Sequence, residues 1–297
     1  MSEFSADWLA LRAAADRAAR ADGLVQGLAG PPPVQAGGLQ VLDLGCGTGA
    51  NLRHLAPLLA AAGHRRQHWT CVDHDPALLA QLPASTTTWA RSAGLHWRGE
   101  LADARLVGND WRAAVVVRRL DLAHDLPALA PPAAGLVTAS ALLDLVSAPW
   151  LDALLGRCRA AGCALLFALS YDGRCLLSPA HAEDARVIDL VNQHQRTDKG
   201  FGPALGPAAA ERAARCCRAL GWRVRTAASD WVLGAESADL QRALLAGWRD
   251  AAAAMAAPPG PAASTAGLDA WLQHRRRWLA TGHSRLQVGH VDLLALP

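Results

Sequence analysis

Lysine is almost missing from this chain: Lys199 is the only one, against 28 arginines. The excess of arginine and alanine points to a coding bias that favours Arg wherever either cation serves. A lysine that survives it is a candidate for a role needing a compact ammonium, with chance retention as the plain alternative. Long apolar runs are missing as well. No stretch approaches the roughly 18 residues of a membrane span. Residues 1–24 carry Glu3, Asp7, Arg12, Asp16, Arg17 and Arg20 where a secretory signal has an uninterrupted apolar centre. The expectation is a protein without membrane attachment, in the cytoplasm. Seven cysteines, at 46, 71, 158, 163, 175, 216 and 217, form no CxxC and no Cys/His metal spacing, so reduced thiols and no metal centre are expected. A net charge of +3 is weak. The run Arg275, Arg276, Arg277 beside Trp271 and Trp278 is one helical turn of charge and reads as a solvated face, with nucleic-acid contact as its rival. Phenylalanine (3) and tyrosine (1) are scarce, while 11 tryptophans leave room for an aromatic-lined pocket. Trp150 and Trp231 are candidates for it, core packing being their ordinary use.

What is present is concentrated in residues 39–51, Leu-Gln-Val-Leu-Asp-Leu-Gly-Cys-Gly-Thr-Gly-Ala-Asn. Residues 39–44 read as a buried parallel strand and 51–61 as a helix, which puts Gly45, Gly47 and Gly49 in the turn between them. Without a Cβ, such positions take positive φ and let a ligand lie against the backbone. Cys46 sits inside the loop and reads as small-residue packing, since nothing near it in sequence would depress its pKa. Two cofactors fit this turn. Gly45-x-Gly47-x-x-Ala50 satisfies the dinucleotide fingerprint in its Gly/Ala form. Asp43 discriminates, because a carboxylate two residues before the first glycine repels a pyrophosphate yet suits a ligand bearing an ammonium and a sulfonium.

The pattern Asp43, Gly45, Gly47, Gly49 resembles the first motif, acidic-x-Gly-x-Gly-x-Gly, of the class I S-adenosylmethionine-dependent methyltransferases. The resemblance implies S-adenosyl-L-methionine as cofactor and an α/β fold with a seven-stranded, mostly parallel, doubly wound sheet. It divides the chain into an N-terminal helical cover, 1–38, and a methyltransferase domain, 39–297, with helical insertions at about 171–207 and 238–282. It covers 39–235, and the terminal strand 284–296 more loosely. The remaining strands are expected at 68–72, 115–120, 135–140, 161–170 and 222–232. Asp73 falls where an acidic residue on the ribose hydroxyls is expected, followed by His74, Asp75 and a Pro76 suited to a first helical turn. Asp121 and Leu122 match the family's adenine-contacting position, and Cys46, Asn51, His74 and Ser140 complete the cofactor set. A solvated strand-end carboxylate is the competing reading for Asp73 and Asp121.

The opening helix is expected at 6–28, ending in Gly30 and a stiff Pro31-Pro32-Pro33 stretch. Trp8, Leu9, Leu11 and Leu28 form its packing face, and Arg12 is a candidate partner for the cofactor carboxylate, an exposed arginine being the alternative. Beyond the fifth strand come a helix at 182–194 and the polar block 193–203, with His194, Arg196, Asp198 and Lys199. Open α/β folds place substrate in such loops. Methyl transfer to a hydroxyl or a protonated nitrogen needs a base, and His194 titrates nearest neutrality. Lys199, Tyr171 with Asp172, and Asp144 after the fourth strand complete the catalytic candidates. Each has a structural rival: a helix cap for His194, packing for Tyr171, a helix-start carboxylate for Asp144. The fourth-strand loop lacks the Asn/Asp-Pro-Pro-aromatic motif of the family's enzymes for exocyclic amino groups of nucleobases. Helices at 208–220, 238–256 and 268–280 follow, the last two separated by the low-complexity linker 257–262. The expected function is methyl transfer to a small-molecule acceptor, first at a hydroxyl oxygen, with nitrogen and carbon open. An RNA or protein methyltransferase and a non-catalytic interaction protein stand as alternatives. Neither membrane nor nucleic acid is expected as a partner, and a homodimer is left open.

Overall fold

The computed structural model describes residues 5–29, 37–256 and 266–297. Glu3, Gly30, the Pro31-Pro32-Pro33 stretch and the linker 257–262 lie outside the described residues. The N-terminal helix α1 (Ala6–Ala19) is capped by Ser5, whose side chain accepts from the Trp8 N–H. It is shorter than the sequence suggests. Arg20 is extended (φ −57°, ψ 138°), and Asp22–Leu28 is a 3-10 turn. The break has a tertiary cause, because the Arg20 side chain and the Ala21 N–H both bond to distant parts of the chain.

β1 (Leu39–Leu44) is buried along nearly all its length, as a central parallel strand must be. α2 (Ala50–Ala61), β2 (Arg66–Asp73) and α3 (Pro76–Ser92) follow. Asp75 caps α3 by accepting from the N–H groups of Ala77 and Leu78, with Pro76 in the first turn. Then come β3 (His96–Arg98), β4 (Ala104–Val107), β5 (Arg112–Arg119) and β6 (Leu136–Ser140). α4 (Ala148–Ala160), β7 (Ala164–Ser178), α5 (Asp184–His194), α6 (Ala209–Ala219), β8 (Arg223–Ala228) and β9 (Trp231–Leu233) lead to α7 (Ala238–Ala256), α8 (Ala266–Ala280) and β10 (Arg285–Leu296).

These strands form one sheet in the order β3-β4-β5-β2-β1-β6-β7-β10-β8, with β9 on β10. β5, β2, β1, β6 and β7 run parallel, and β10 inserts antiparallel between β7 and β8. The class I methyltransferase-like sheet expected from the sequence is present, with ten strands in place of seven. The extra three have local causes. β3 and β4 extend the β5 edge as antiparallel strands. The expected sixth strand, 222–232, is broken at Ser229 and Asp230, where the Ser229 N–H bonds to His290 O and Asp230 accepts from the His290 N–H and the Gln287 side chain. β7 continues to Ser178, eight residues past its expected end, because β10 pairs with it antiparallel from Ala295↔Leu165 to Arg285↔Ser178, with register shifts between Val288 and His290 and between Val291 and Leu293.

Apolar side chains pack on both sheet faces. Leu42 and Leu44 face the α4/α6 side, while Leu39 and Val41 face α2 and α3. The period of two puts Asp43 on the α2 side as well. A third cluster joins the distal halves of β7 and β10 and β9 to α5, α7 and α8. No helix among the described residues is long and apolar enough to cross a membrane.

Candidate active site

The strand order reverses at β1, flanked by β2 on one side and β6 on the other. Open α/β sheets bind ligands at such a switch point, beyond the carboxyl ends of the strands. Gly45, Gly47 and Gly49 all have positive φ, at 65°, 51° and 83°. A Cβ on Gly47 would lie 3.1 Å from Leu9 Cδ1, so α1 roofs the loop. Cys46 is buried, and its thiol is pushed well up by the Cys71 thiol beside it and by burial.

Asp43 is fully buried. Its Oδ1 accepts from Asn51 Nδ2 at 2.7 Å, and Asn51 Nδ2 also lies 3.1 Å from Thr138 Oγ1. Its Oδ2 has no hydrogen-bond partner among the described residues. Burial lifts this carboxyl to about 7, against the Asn51 hydrogen bond and the charge of Arg20. Arg20 completes the constellation. Its Nη1 donates to Asn51 Oδ1 at 2.6 Å and its Nη2 to Ser140 Oγ at 2.8 Å, tying the N-terminal segment to the ends of α2 and β6. Asp292 of β10 anchors the same segment, accepting from the N–H groups of Ala21 (2.9 Å) and Leu169 (2.7 Å).

Asp73 is 7% exposed and already engaged. The Gly47 N–H donates to its Oδ2 at 2.8 Å and the Asp75 N–H to its Oδ1 at 3.0 Å. Its immediate work is therefore to brace the glycine loop, a task it can combine with ribose contact through its remaining lone pairs. His74 is exposed, with Nδ1 3.5 Å from Asp73 Oδ1. Asp121 lies at the rim. Its partial burial would raise the carboxyl, but hydrogen bonds from the His124 ring and the Ala123 N–H hold it below its ordinary value. Leu122 is core, its carbonyl accepting from Trp150 Nε1 at 2.6 Å.

A second constellation lies beyond β6 and β7. Asp144 is 8% exposed with Oδ1 unpartnered among the described residues; burial raises it to about 6, opposed by its own N–H, the charge of Arg12 and the Tyr171 N–H. The Tyr171 hydroxyl donates to Asn192 Oδ1 at 2.8 Å, and burial raises the phenol far above its ordinary value, so it is a fixed donor and not a base. His290 of β10 stacks against Trp231 (centroids 4.9 Å) and edge-on to Tyr171 (6.1 Å). Burial and the charge of Arg12 depress it to about 4. Arg12 is buried, forks onto Asp16 at 2.8 and 3.0 Å, and covers the Trp231 ring at 4.9 Å. Arg12 is therefore not the exposed arginine of the alternative reading. Ala141 and Leu169, at φ 52° and 54°, flank both constellations. Left-handed backbone at a residue with a Cβ costs about 1–2 kcal/mol each, and such strain gathers at functional sites.

The polar block 193–203 is bonded largely to itself. Lys199 Nζ donates to His194 O (3.0 Å) and Thr197 Oγ1 (2.9 Å) and lies 3.5 Å from His194 Nδ1. This closes the C-terminus of α5 with the Lys199 ammonium on the His194 carbonyl, not with the His194 ring. Burial and the neighbouring ammonium lower His194, and burial lowers Lys199. Asp198 Oδ1 accepts from the N–H groups of Gly200 and Gly202, and Phe201 packs edge-on against Trp150 at 5.3 Å. The block is a shaped brace on the loop that carries Asp144, whose carbonyl accepts from the Gly206 N–H at 3.0 Å. Sequence reasoning missed Arg20, Asp292 and His290. The one available signal was the placing of His290 and Asp292 in an otherwise apolar terminal strand.

No protein-family profile matches the chain, and no curated protein matches it by sequence. Among solved structures it is similar to a cyclopropane synthase from Mycobacterium tuberculosis, at 12% identity over 99% of this chain and 87% of that one, with a TM-score of 0.45. It is also similar to the YcgJ protein of Bacillus subtilis (12%, 93% and 97%, TM-score 0.44). A third match is an arsenic(III) S-adenosylmethionine methyltransferase from Chlamydomonas reinhardtii (16%, 91% and 67%, TM-score 0.39). The strand order stands on its own: this is the class I methyltransferase fold.

Proposed function

We propose that the chain is an S-adenosylmethionine-dependent methyltransferase acting on a small molecule. The observation that carries this is Asp43 Oδ2, a fully buried carboxylate oxygen without a partner among the described residues, beneath a glycine loop at the switch point. A buried polar atom left unsatisfied costs about 1–3 kcal/mol, more when charged, and an incoming ammonium removes that cost where a pyrophosphate increases it. Asp43 and Asn51 would hold the amino end of the cofactor, Arg20 and Ser140 its carboxylate, and Asp73 with Asp121 the nucleoside. When bound, S-adenosylmethionine supplies an electrophilic methyl group with a neutral thioether as leaving group. The protein's part is to orient the acceptor and take its proton. A hydroxyl oxygen is the acceptor atom the sequence favours; the charge around Asp144 bears on that choice below. Arg275 weakens the nucleic-acid alternative. It is fully buried and bound to Asp184 and Pro179 O, so the run at 275–277 is not a continuous basic face.

Calorimetry tests the reading. S-adenosylmethionine and S-adenosylhomocysteine are expected to bind in the micromolar range, NAD not at all, and Asp43→Asn to weaken S-adenosylmethionine at least about tenfold, the scale of one charge-assisted hydrogen bond. NAD binding more tightly than S-adenosylmethionine would overturn it.

A further inference from the structure

Between α1 and the ends of β1, β2, β6, β7 and β10, carboxylates outnumber guanidiniums. Asp43, Asp73, Asp144 and Asp292 are buried and Asp16 nearly so, while among the described residues Arg12 and Arg20 are the guanidiniums set between them and Arg53 is bonded to Thr48 O of the glycine loop. Arg12 is paired with Asp16, and Arg20, bonded to Asn51 and Ser140, is the group that would hold the cofactor carboxylate. The interior therefore carries surplus negative charge at two separate oxygens, Asp43 Oδ2 and Asp144 Oδ1, each unpartnered among the described residues. The first lies in the cofactor constellation. The second does not; it faces the Tyr171 N–H and the charge of Arg12, and the Tyr171 ring continues into a cluster with His290 and Trp231.

We infer that the acceptor is an amine, bound as its ammonium with an N–H donated to Asp144 Oδ1 and its carbon frame against the rings of Tyr171, His290 and Trp231. The inference rests on the methyltransferase reading above and adds the acceptor's chemical class. A carboxylate or phosphate acceptor would deepen the negative surplus, with the guanidiniums already occupied. A hydroxyl could donate to Asp144 but would leave its charge uncompensated. An ammonium does both, and aromatic faces favour it further. His290 suits such a wall. Its Nδ1 lies 3.0 Å from Val288 O, which assigns the ring proton to that nitrogen, and the buried ring stays uncharged and does not repel the ligand.

The same contact prepares the nucleophile. One proton passes from the ammonium to the Asp144 carboxylate, giving a neutral amine and a neutral carboxylic acid, and the electron pair of the broken N–H bond stays on nitrogen. Burial favours this neutral pair over the ion pair.

The test uses benzylamine, benzyl alcohol and phenylacetate as probes of matched size. Affinities are read from ligand-dependent thermal shifts at pH 8 on wild type and Asp144→Asn, each with and without S-adenosylhomocysteine. Benzylamine is expected to bind at least about tenfold more tightly than benzyl alcohol, with phenylacetate weakest. The preference should vanish in Asp144→Asn, whose side-chain oxygen can still accept the backbone N–H bonds. Equal binding of the three probes, binding by none, or an undiminished preference in Asp144→Asn would overturn the inference. Should the variant fail to fold, the ranking of the three probes on wild type decides alone. The parent reading is scored separately. Loss of the probe preference with S-adenosylhomocysteine still bound removes only the amine, whereas benzylamine preference without S-adenosylhomocysteine binding removes the methyltransferase and keeps the amine site.

Discussion

Asp43 is where a single side chain has the largest leverage. A carboxyl raised to about 7 by burial holds a proton in the folded state at pH values where the unfolded chain has lost it. Its contribution to stability is thus fully present below about pH 4, the unfolded value, and is lost as pH rises to about 7. Ligand binding runs the other way. A cation prefers the ionised form, so S-adenosylmethionine affinity is expected to fall as pH drops below about 7, with close to one proton released per ligand at pH 6 and close to none at pH 8. Calorimetry in two buffers of different ionisation enthalpy reads that proton, and Asp43→Asn should abolish it. A proton count independent of pH would mean that the ligand does not meet this carboxylate.

The N-terminal segment is the element on which the site depends. α1 brings Leu9 onto Gly47 and Arg12 onto Trp231, and Arg20 pins the chain to Asn51 and Ser140. Hydrogen bonds to a charged group are worth about 1.5–3 kcal/mol each, so Arg20 is a major part of the hold on a segment also anchored by Asp292, by His54 on Asp22, by His64 on Leu28 O and by Trp231 Nε1 on Asp16. Arg20→Ala is expected to speed amide exchange in α1 and the 3-10 turn at least about tenfold, leaving β1 and β6 amides unchanged, and to weaken S-adenosylmethionine. Exchange mass spectrometry on peptides from 5–29 checks this, and unchanged protection there would show that Leu9 and Arg12 hold the cover without Arg20. The same bonds explain why the expected helix 6–28 stops at Ala19. No periodicity in residues 20–28 signals that Arg20 will be drawn to partners 31 and 120 positions away.

At the scale of the molecule, the cluster of α5, α7, α8 and the distal sheet is joined by an ion pair inside an apolar core. Arg275, fully buried, forks onto Asp184, which also accepts from Trp271 Nε1 at 2.8 Å. Removing one partner of a buried pair leaves an uncompensated charge. Arg275→Ala is accordingly expected to cost about 3–5 kcal/mol, while Arg276→Ala, one residue along on the exposed face, should stay within about 0.5 kcal/mol. Urea denaturation of both variants compares them directly. Equal, small losses would mean that the pair is hydrated and the cluster looser than its packing suggests.

The sequence alone determined the features that depend on local chemistry. Strand β1, the positive-φ glycines, the carboxylate two residues before them, Pro76 in the first turn of α3 and the parallel strands of the central sheet were legible because hydrophobic period, glycine placement and helix-start residues act within a few positions of themselves. Asp43, Asp73, Asn51 and Ser140, named from the motif and the resemblance, lie together at the switch point, linked through Gly47 and Arg20. Only the tertiary structure decided what the charged residues do. Arg275 in a run of three arginines is buried while its neighbours are exposed; Lys199 closes a helix; Arg20 and His290 enter the site from opposite ends of the chain. A guanidinium or an imidazole carries no pattern that says which carboxylate it will meet, since that partner is chosen by desolvation and by distances that exist only after the strands have paired.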